Sequence, residues 1–105
     1  MWVEILKWPT TTTVTSTPNP STYKQQVTFT AMALPNQDAP TTPTGKIKFV
    51  SGGTTLGIAL LFSNGVATLT TKHLPVGTDL VTAEYLGDAD NAPSESASLS
   101  QVVDP

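Results

Sequence analysis

Apolar and polar residues alternate with a period of two through most of this chain. From Gln25 to Leu34 the run QQVTFTAMAL sets Val27, Phe29, Ala31 and Ala33 on one face and Thr28, Thr30 and Met32 on the other. Successive side chains of an extended chain point to opposite sides, so this period predicts a half-buried strand. Upstream, Thr10–Thr17 (TTTTVTST) is β-branched and is cut off by Pro18 and Pro20, which cannot donate to a ladder; this predicts a short edge strand followed by a turn. After the proline-rich connection 35–43 (PNQDAPTTP), Gly45–Ser51 predicts a strand with Ile47 and Phe49 inward and Lys46 and Lys48 in water. Gly52 and Gly53 then predict a tight turn.

Thr54–Phe62 carries Leu56, Ile58, Leu60 and Leu61 around Gly57, which predicts a strand with a bulge or a close backbone approach at that glycine. Asn64-Gly65 is the strongest hairpin signal in the chain, because both central positions of a type I′ turn require positive φ. Two strands are expected to pair across it, the second being Val66–Thr71 with Ala67 and Leu69 inward. Leu74, Pro75 and Gly77 predict a crossing between sheets. Leu80–Leu86 then forms a strand with Val81, Ala83 and Tyr85 on the core face, and 87–93 (GDADNAP) a turn. A last strand, Ser94–Val103, sets Ser96, Ser98 and Ser100 against Ala97, Leu99 and Gln101. About seven short strands, spaced roughly every 8–12 residues with no room for a helix, predict an all-β sandwich of antiparallel strands in two sheets.

Composition narrows the chemistry. With 105 residues the chain fits one core; its charged fraction is only 12%, against 38% hydrophobic, and Thr and Ser fill the difference, which favours strands. The absence of cysteine removes disulfides, thiolate nucleophiles and cysteine-based zinc sites. The net charge is −3, with five lysines, no arginine and no basic stripe, so nucleic-acid binding is not expected. Met1–Trp8 (MWVEILKW) is apolar but too short to span a bilayer and lacks the parts of a signal peptide, so if the protein is exported the expectation is an excised piece of it or a fragment made for expression. The division expected is an apolar extension or linker over 1–9 and one sandwich domain over 10–105.

In order, the chain contains TPNPSTY, TPTG before a strand, GGTTLG, NGVATLT, LPVGT and YLGD, running from about Thr10 to Val103. This succession resembles the bacterial immunoglobulin-like repeats that occur in tandem in large secreted and surface-anchored bacterial proteins. The resemblance implies an immunoglobulin-like fold and an extracellular or bacterial cell-surface setting. It also implies a non-catalytic spacer or adhesion role, with neighbouring domains of a larger chain as partners and no cofactor. The chain departs from the pattern at Asp79 and Leu80, where an aromatic residue or histidine often follows the Gly-Thr, so no tyrosine-corner lock is carried over.

Three constellations bear on chemistry. His73, the only histidine, would have to serve any hydrolase triad, with Ser51 and Asp79 as partners; Ser51 lacks the preceding glycine of a nucleophile elbow, and His73 reads more simply as a polar strand end. Asp88, Asp90 and Asn91 offer several oxygens to a hard cation, so a calcium-assisted site is a candidate, against a turn whose Asp side chains bond their own backbone. Glu84 and Glu95 fall on neighbouring strands and are the candidate for a glycosidase acid pair, against the simpler reading that exposed acids on a sheet only solvate it. Trp2, Ile5, Leu6 and Trp8 form the candidate partner contact. That strip is expected to be a contact site open to self-association, a strand donated to a neighbour's edge, a remnant of a preceding repeat, or an added tail folded back on the sandwich. The alternative function is therefore a protein- or carbohydrate-binding module using this strip or the loops 35–43 and 87–93. A small hydrolase using His73 ranks last.

Overall fold

A computed structural model describes residues 7–105 of the chain; Trp2, Ile5 and Leu6 of the expected contact strip lie outside the described residues. Among the described residues nine strands form in chain order: β1 (Thr10–Thr17), β2 (Ser21–Thr22), β3 (Val27–Pro35), β4 (Lys46–Ser51), β5 (Thr54–Leu60), β6 (Val66–Thr71), β7 (Gly77–Tyr85), β8 (Ser94–Glu95) and β9 (Leu99–Asp104). One sheet has the order β1-β3-β6; the other has the order β2-β9-β7-β4-β5, with β8 beside β7. The two sheets pack into the expected sandwich.

The alternation places the core where the period predicts it. Val27, Phe29, Ala31 and Ala33 of β3 are buried, as are Ile47 and Phe49 of β4, Ala67 of β6 and Val81, Ala83 and Tyr85 of β7. Phe29 and Phe49 meet from opposite sheets with ring centroids 6.3 Å apart and planes tilted by 38°. Small residues at Ala31, Ala67 and Ala83 leave room for these rings in a layer that must pack without voids.

Four local expectations are corrected. Pro18 and Pro20 do not simply end an edge strand: the chain crosses there to the second sheet, where Ser21 and Thr22 run parallel to Val103 and Asp104. The sandwich is therefore not wholly antiparallel. Asn64-Gly65 does not close a hairpin ladder, since β5 and β6 belong to different sheets. Only Gly65 has positive φ, at +79°, and Lys24 is the only described non-glycine residue that does, so this is not a type I′ turn. Phe62 donates to the Val66 carbonyl, after which the strands part. A close packing demand holds Gly65 in place: a Cβ there would lie 3.0 Å from the Ala33 carbonyl oxygen.

The two-glycine turn lies one connection earlier, where Gly52 and Gly53 both have positive φ between the paired Ser51 and Thr54. In β5 the expected irregularity is present: the register with β4 shifts between Phe49 and Val50, leaving Leu56 unpaired beside Gly57. A Cβ on Gly57 would stand 2.8 Å from a Leu69 methyl, so the glycine lets the opposite sheet approach.

The last strand also departs from the expected pattern. It is broken into β8 and β9, with Ser96 buried and Ala97 exposed, the reverse of the expected faces. The β7 register changes by one residue between Glu84↔Glu95 and Val81↔Leu99, which is a bulge. Ser96 occupies it by donating its main-chain N–H to the Ala83 carbonyl and accepting the Ala83 N–H on Oγ, at 2.9 Å each. Beyond the bulge Leu99, Gln101 and Val103 point inward.

Candidate functional site

The densest polar cluster lies where β7 turns toward β8. Asp88 is its centre: Oδ2 accepts the N–H and hydroxyl of Thr44, both at 2.9 Å, and Oδ1 accepts the N–H groups of Asp90 and Asn91 at 2.8 and 2.7 Å. The Asn91 amide adds bonds of 3.1 Å to both oxygens. Tyr85 closes the cluster from below by donating its hydroxyl to the Thr44 carbonyl at 2.6 Å. Glycine is required on both connections, because Gly45 and Gly87 have φ of +108° and +87°. A Cβ on Gly45 would meet the Gly87 carbonyl oxygen, and one on Gly87 the Asn91 carbonyl oxygen, each at 3.1 Å.

The electrostatics follow from these bonds. Partial burial pushes the Asp88 carboxyl up, but the Thr44 N–H, the Asn91 amide, the Asp90 N–H and the Thr44 hydroxyl together outweigh it and hold the group well below the usual carboxylate range. Burial, followed by the neighbouring Asp88 charge, pushes Tyr85 up to about 12. Both Asp88 oxygens already face donors. A cation would have to displace groups whose positive ends point at the same oxygens, so the arrangement works as an anionic cap for the loop. Asn91 is fully buried and its Oδ1 has no hydrogen-bond partner among the described residues, while Asp90 is exposed.

Trp8 is the one described residue of the expected contact strip. Its main chain docks on the same loop: Trp8 N–H donates to the Asp90 carbonyl at 2.9 Å, and Ala92 N–H donates to the Trp8 carbonyl at 2.8 Å. Thr10 extends the seam by donating its hydroxyl to the Ala92 carbonyl and sharing a hydrogen bond with Ser94. Trp8 as a residue stays 38% exposed.

Ser51, His73 and Asp79 are not joined by hydrogen bonds among the described residues. Ser51 pairs with Val81 and Thr54 at the end of β4, and Asp79 lies opposite Gln101 in β7. His73 follows the other sheet, where its N–H is held by the Thr71 hydroxyl. Burial pushes the Asp79 carboxyl up, and its Oδ2 is buried without a partner among the described residues. Glu84 and Glu95 stand directly opposite each other in the β7–β8 ladder, beside a shallow groove of about 300 Å³ also lined by Tyr85, Leu86, Pro93 and Ser94.

Residues 14–104 match the family model described as bacterial Ig-like domain (group 3). The chain belongs to that family. No curated protein and no solved structure matches it. Bacterial Ig-like domains are generally non-enzymatic modules, typical of extracellular or surface bacterial proteins. In this bacterial Ig-like domain the polar residues that looked chemical in sequence are distributed among loop cap, strand ends and sheet surface.

Sequence reasoning missed a second polar knot in the bacterial Ig-like domain. Gln101 is fully buried; its Oε1 accepts the Ser16 hydroxyl, and its Nε2 donates to the Pro18 carbonyl at 2.9 Å and to Ser21 Oγ at 3.3 Å. This amide fastens the β1-to-β2 crossing to β9. The available signal was a glutamine at an inward-facing position between Leu99 and Val103, since a buried amide requires partners.

Proposed function

We propose that this domain is a non-catalytic spacer that carries load between neighbouring domains of a bacterial extracellular or surface protein, in an adhesion setting. One observation carries the reading: the chain enters and leaves at opposite ends. Thr10 pairs with Pro35 and bonds Ala92, near the Tyr85 end of β7, whereas Val103 pairs with Gly77 at the start of β7. At about 3.4 Å per residue, the nine residues of β7 separate those ends by about 27 Å.

Tension along this path meets strands in shear. Pulling on the N-terminus draws β1 along its own axis past β3, to which eight residue pairs bind it. It also draws β2 against its parallel neighbour β9, which the other terminus pulls the opposite way. Ladder bonds loaded together resist more than bonds opened one at a time. Single-molecule pulling on head-to-tail copies tests the reading. One abrupt length gain per copy is expected, and a smooth extension at no resolvable force contradicts it.

A further inference from the structure

Strand β5 borders the larger sheet, and its outer side has no strand partner among the described residues. The orientation of its main chain follows from one bond. Leu61 N–H donates to the Gly45 carbonyl, and 45 and 61 lie in the same register as the pairs Lys46↔Leu60, Ile47↔Ala59 and Lys48↔Ile58. Bonded and non-bonded pairs alternate in an antiparallel ladder, so Ala59 bonds Ile47 while the N–H and C=O groups of Ile58 and Leu60 point away from β4. Phe62 has the same outward phase, but its N–H is taken by Val66.

The side chains on this edge are exposed as well. Ile58 is 54% and Leu60 67% exposed, with Phe62 beside them at 65%. From Phe49 to Thr71 the chain contains no charged residue, so β5 lacks the lysine, inward charge or proline that ordinarily blunts an edge. The other edges are treated differently. On β1, Thr10 and Thr12 hydrogen-bond to Ser94; β2 is two residues long and follows Pro18 and Pro20; β6 exposes Thr68 and Thr70.

We propose that β5 is a homotypic docking edge, occupied by β5 of a second copy of this chain in an antiparallel pair whose two-fold axis passes at Ala59. In that register Ile58 faces Leu60 of the second copy and Leu60 faces Ile58 of the second copy. All four outward main-chain groups on each copy then find partners. The four apolar side chains form one ribbon on the outer face, and Lys46 and Lys48 of each copy lie outside it, one strand away, where like charges do not meet across the new seam. The absence of charge matches a copy of the same edge, and the isologous contact uses up β5 on both sides, so it closes at two chains rather than propagating.

Sedimentation of the whole chain from dilute to concentrated solution should shift from one to two chain masses. Leu60→Lys adds a charge beside Lys46 and should lower the association constant by at least about tenfold, with the melting temperature unchanged in dilute solution where both are single chains. Ala59→Cys should oxidise to a covalent dimer, because residues facing across a two-fold in a non-hydrogen-bonded pair stand about 4.5 Å apart at Cα, within disulfide reach. The chain has no other cysteine to compete, and Ser63→Cys, exposed just past the edge, serves as the control. A single-chain mass at every concentration overturns the proposal. So does a dimer that survives Leu60→Lys, as one held through Met1–Trp8 would, or cross-linking of Ser63→Cys as fast as Ala59→Cys.

Discussion

The Asp88 loop and the β5 edge are opposites. Around Asp88, one carboxylate accepts six hydrogen bonds from Thr44, Asp90 and Asn91, and the main chain of Trp8 seals the outside of the loop. Along β5 there is no charge, the side chains of Ile58 and Leu60 stand in water, and their main-chain groups point outward. In this domain charged and amide groups fasten the chain. Capacity for contact lies where the sequence is blandest.

The largest expected effect comes from the residue under both regions. Phe49 pairs with Gly57 of β5 on one side and Ala83 of β7 on the other, and it is fully buried. Phe49→Ala should cost about 3–5 kcal/mol of stability by chemical denaturation and loosen loop and edge together. A loss confined to one of them would mean that the two do not share a core.

Asp88→Asn addresses the loop alone. Replacing an acceptor by an amide turns donors toward donors and should cost about 1–3 kcal/mol. It should also change the acid response. A carboxyl held below its unfolded value of about 3.9 adds stability that is full above that pH and is lost as pH falls toward the folded value. The natural chain should therefore lose stability steeply below about pH 4, and Asp88→Asn should flatten that limb in pH-dependent unfolding. Asp79 has the opposite sign. Its carboxyl is raised by burial, so it subtracts stability as pH rises above the unfolded value, and Asp79→Asn should raise the melting temperature at neutral pH but not in acid.

Gly65→Ala should cost about 1–2 kcal/mol from its left-handed backbone alone. This separates the turn joining β5 to β6 from the edge itself, because the exposed Leu60→Lys should stay within about 0.5 kcal/mol. The smallest gain is expected on the sheet surface. Glu95→Lys replaces two like charges directly opposite each other with an attractive pair, and thermal unfolding should show about 0.2–1 kcal/mol of stabilisation.

Much of this was legible in sequence where strands were regular. Val27, Phe29, Ala31 and Ala33, then Ile47 and Phe49, then Val81, Ala83 and Tyr85 all declared their face through period two, because burial on one side of a sheet forces that alternation. Asn64-Gly65 misled because turn chemistry is local, whereas the sheet that receives β6 is chosen by packing of Leu69 on Gly57 and pairing with β3. The bulge at Ser96 escaped notice because a serine hydroxyl can stand in for a ladder group, which hydropathy does not record. The Asp88 cap was visible as a turn within GDADNAP. Its link to Thr44 was not, since the two residues are 44 positions apart and meet only when β4 and β7 pair.

Amide hydrogen exchange at low and high protein concentration tests the contrast between closed loop and open edge most directly. The N–H groups of Thr44, Asp90 and Asn91 should be protected at both concentrations, whereas those of Ile58 and Leu60 should exchange freely when dilute and become protected when concentrated. Free exchange of Ile58 and Leu60 at both concentrations, or of Asp90 and Asn91 at either, would contradict it.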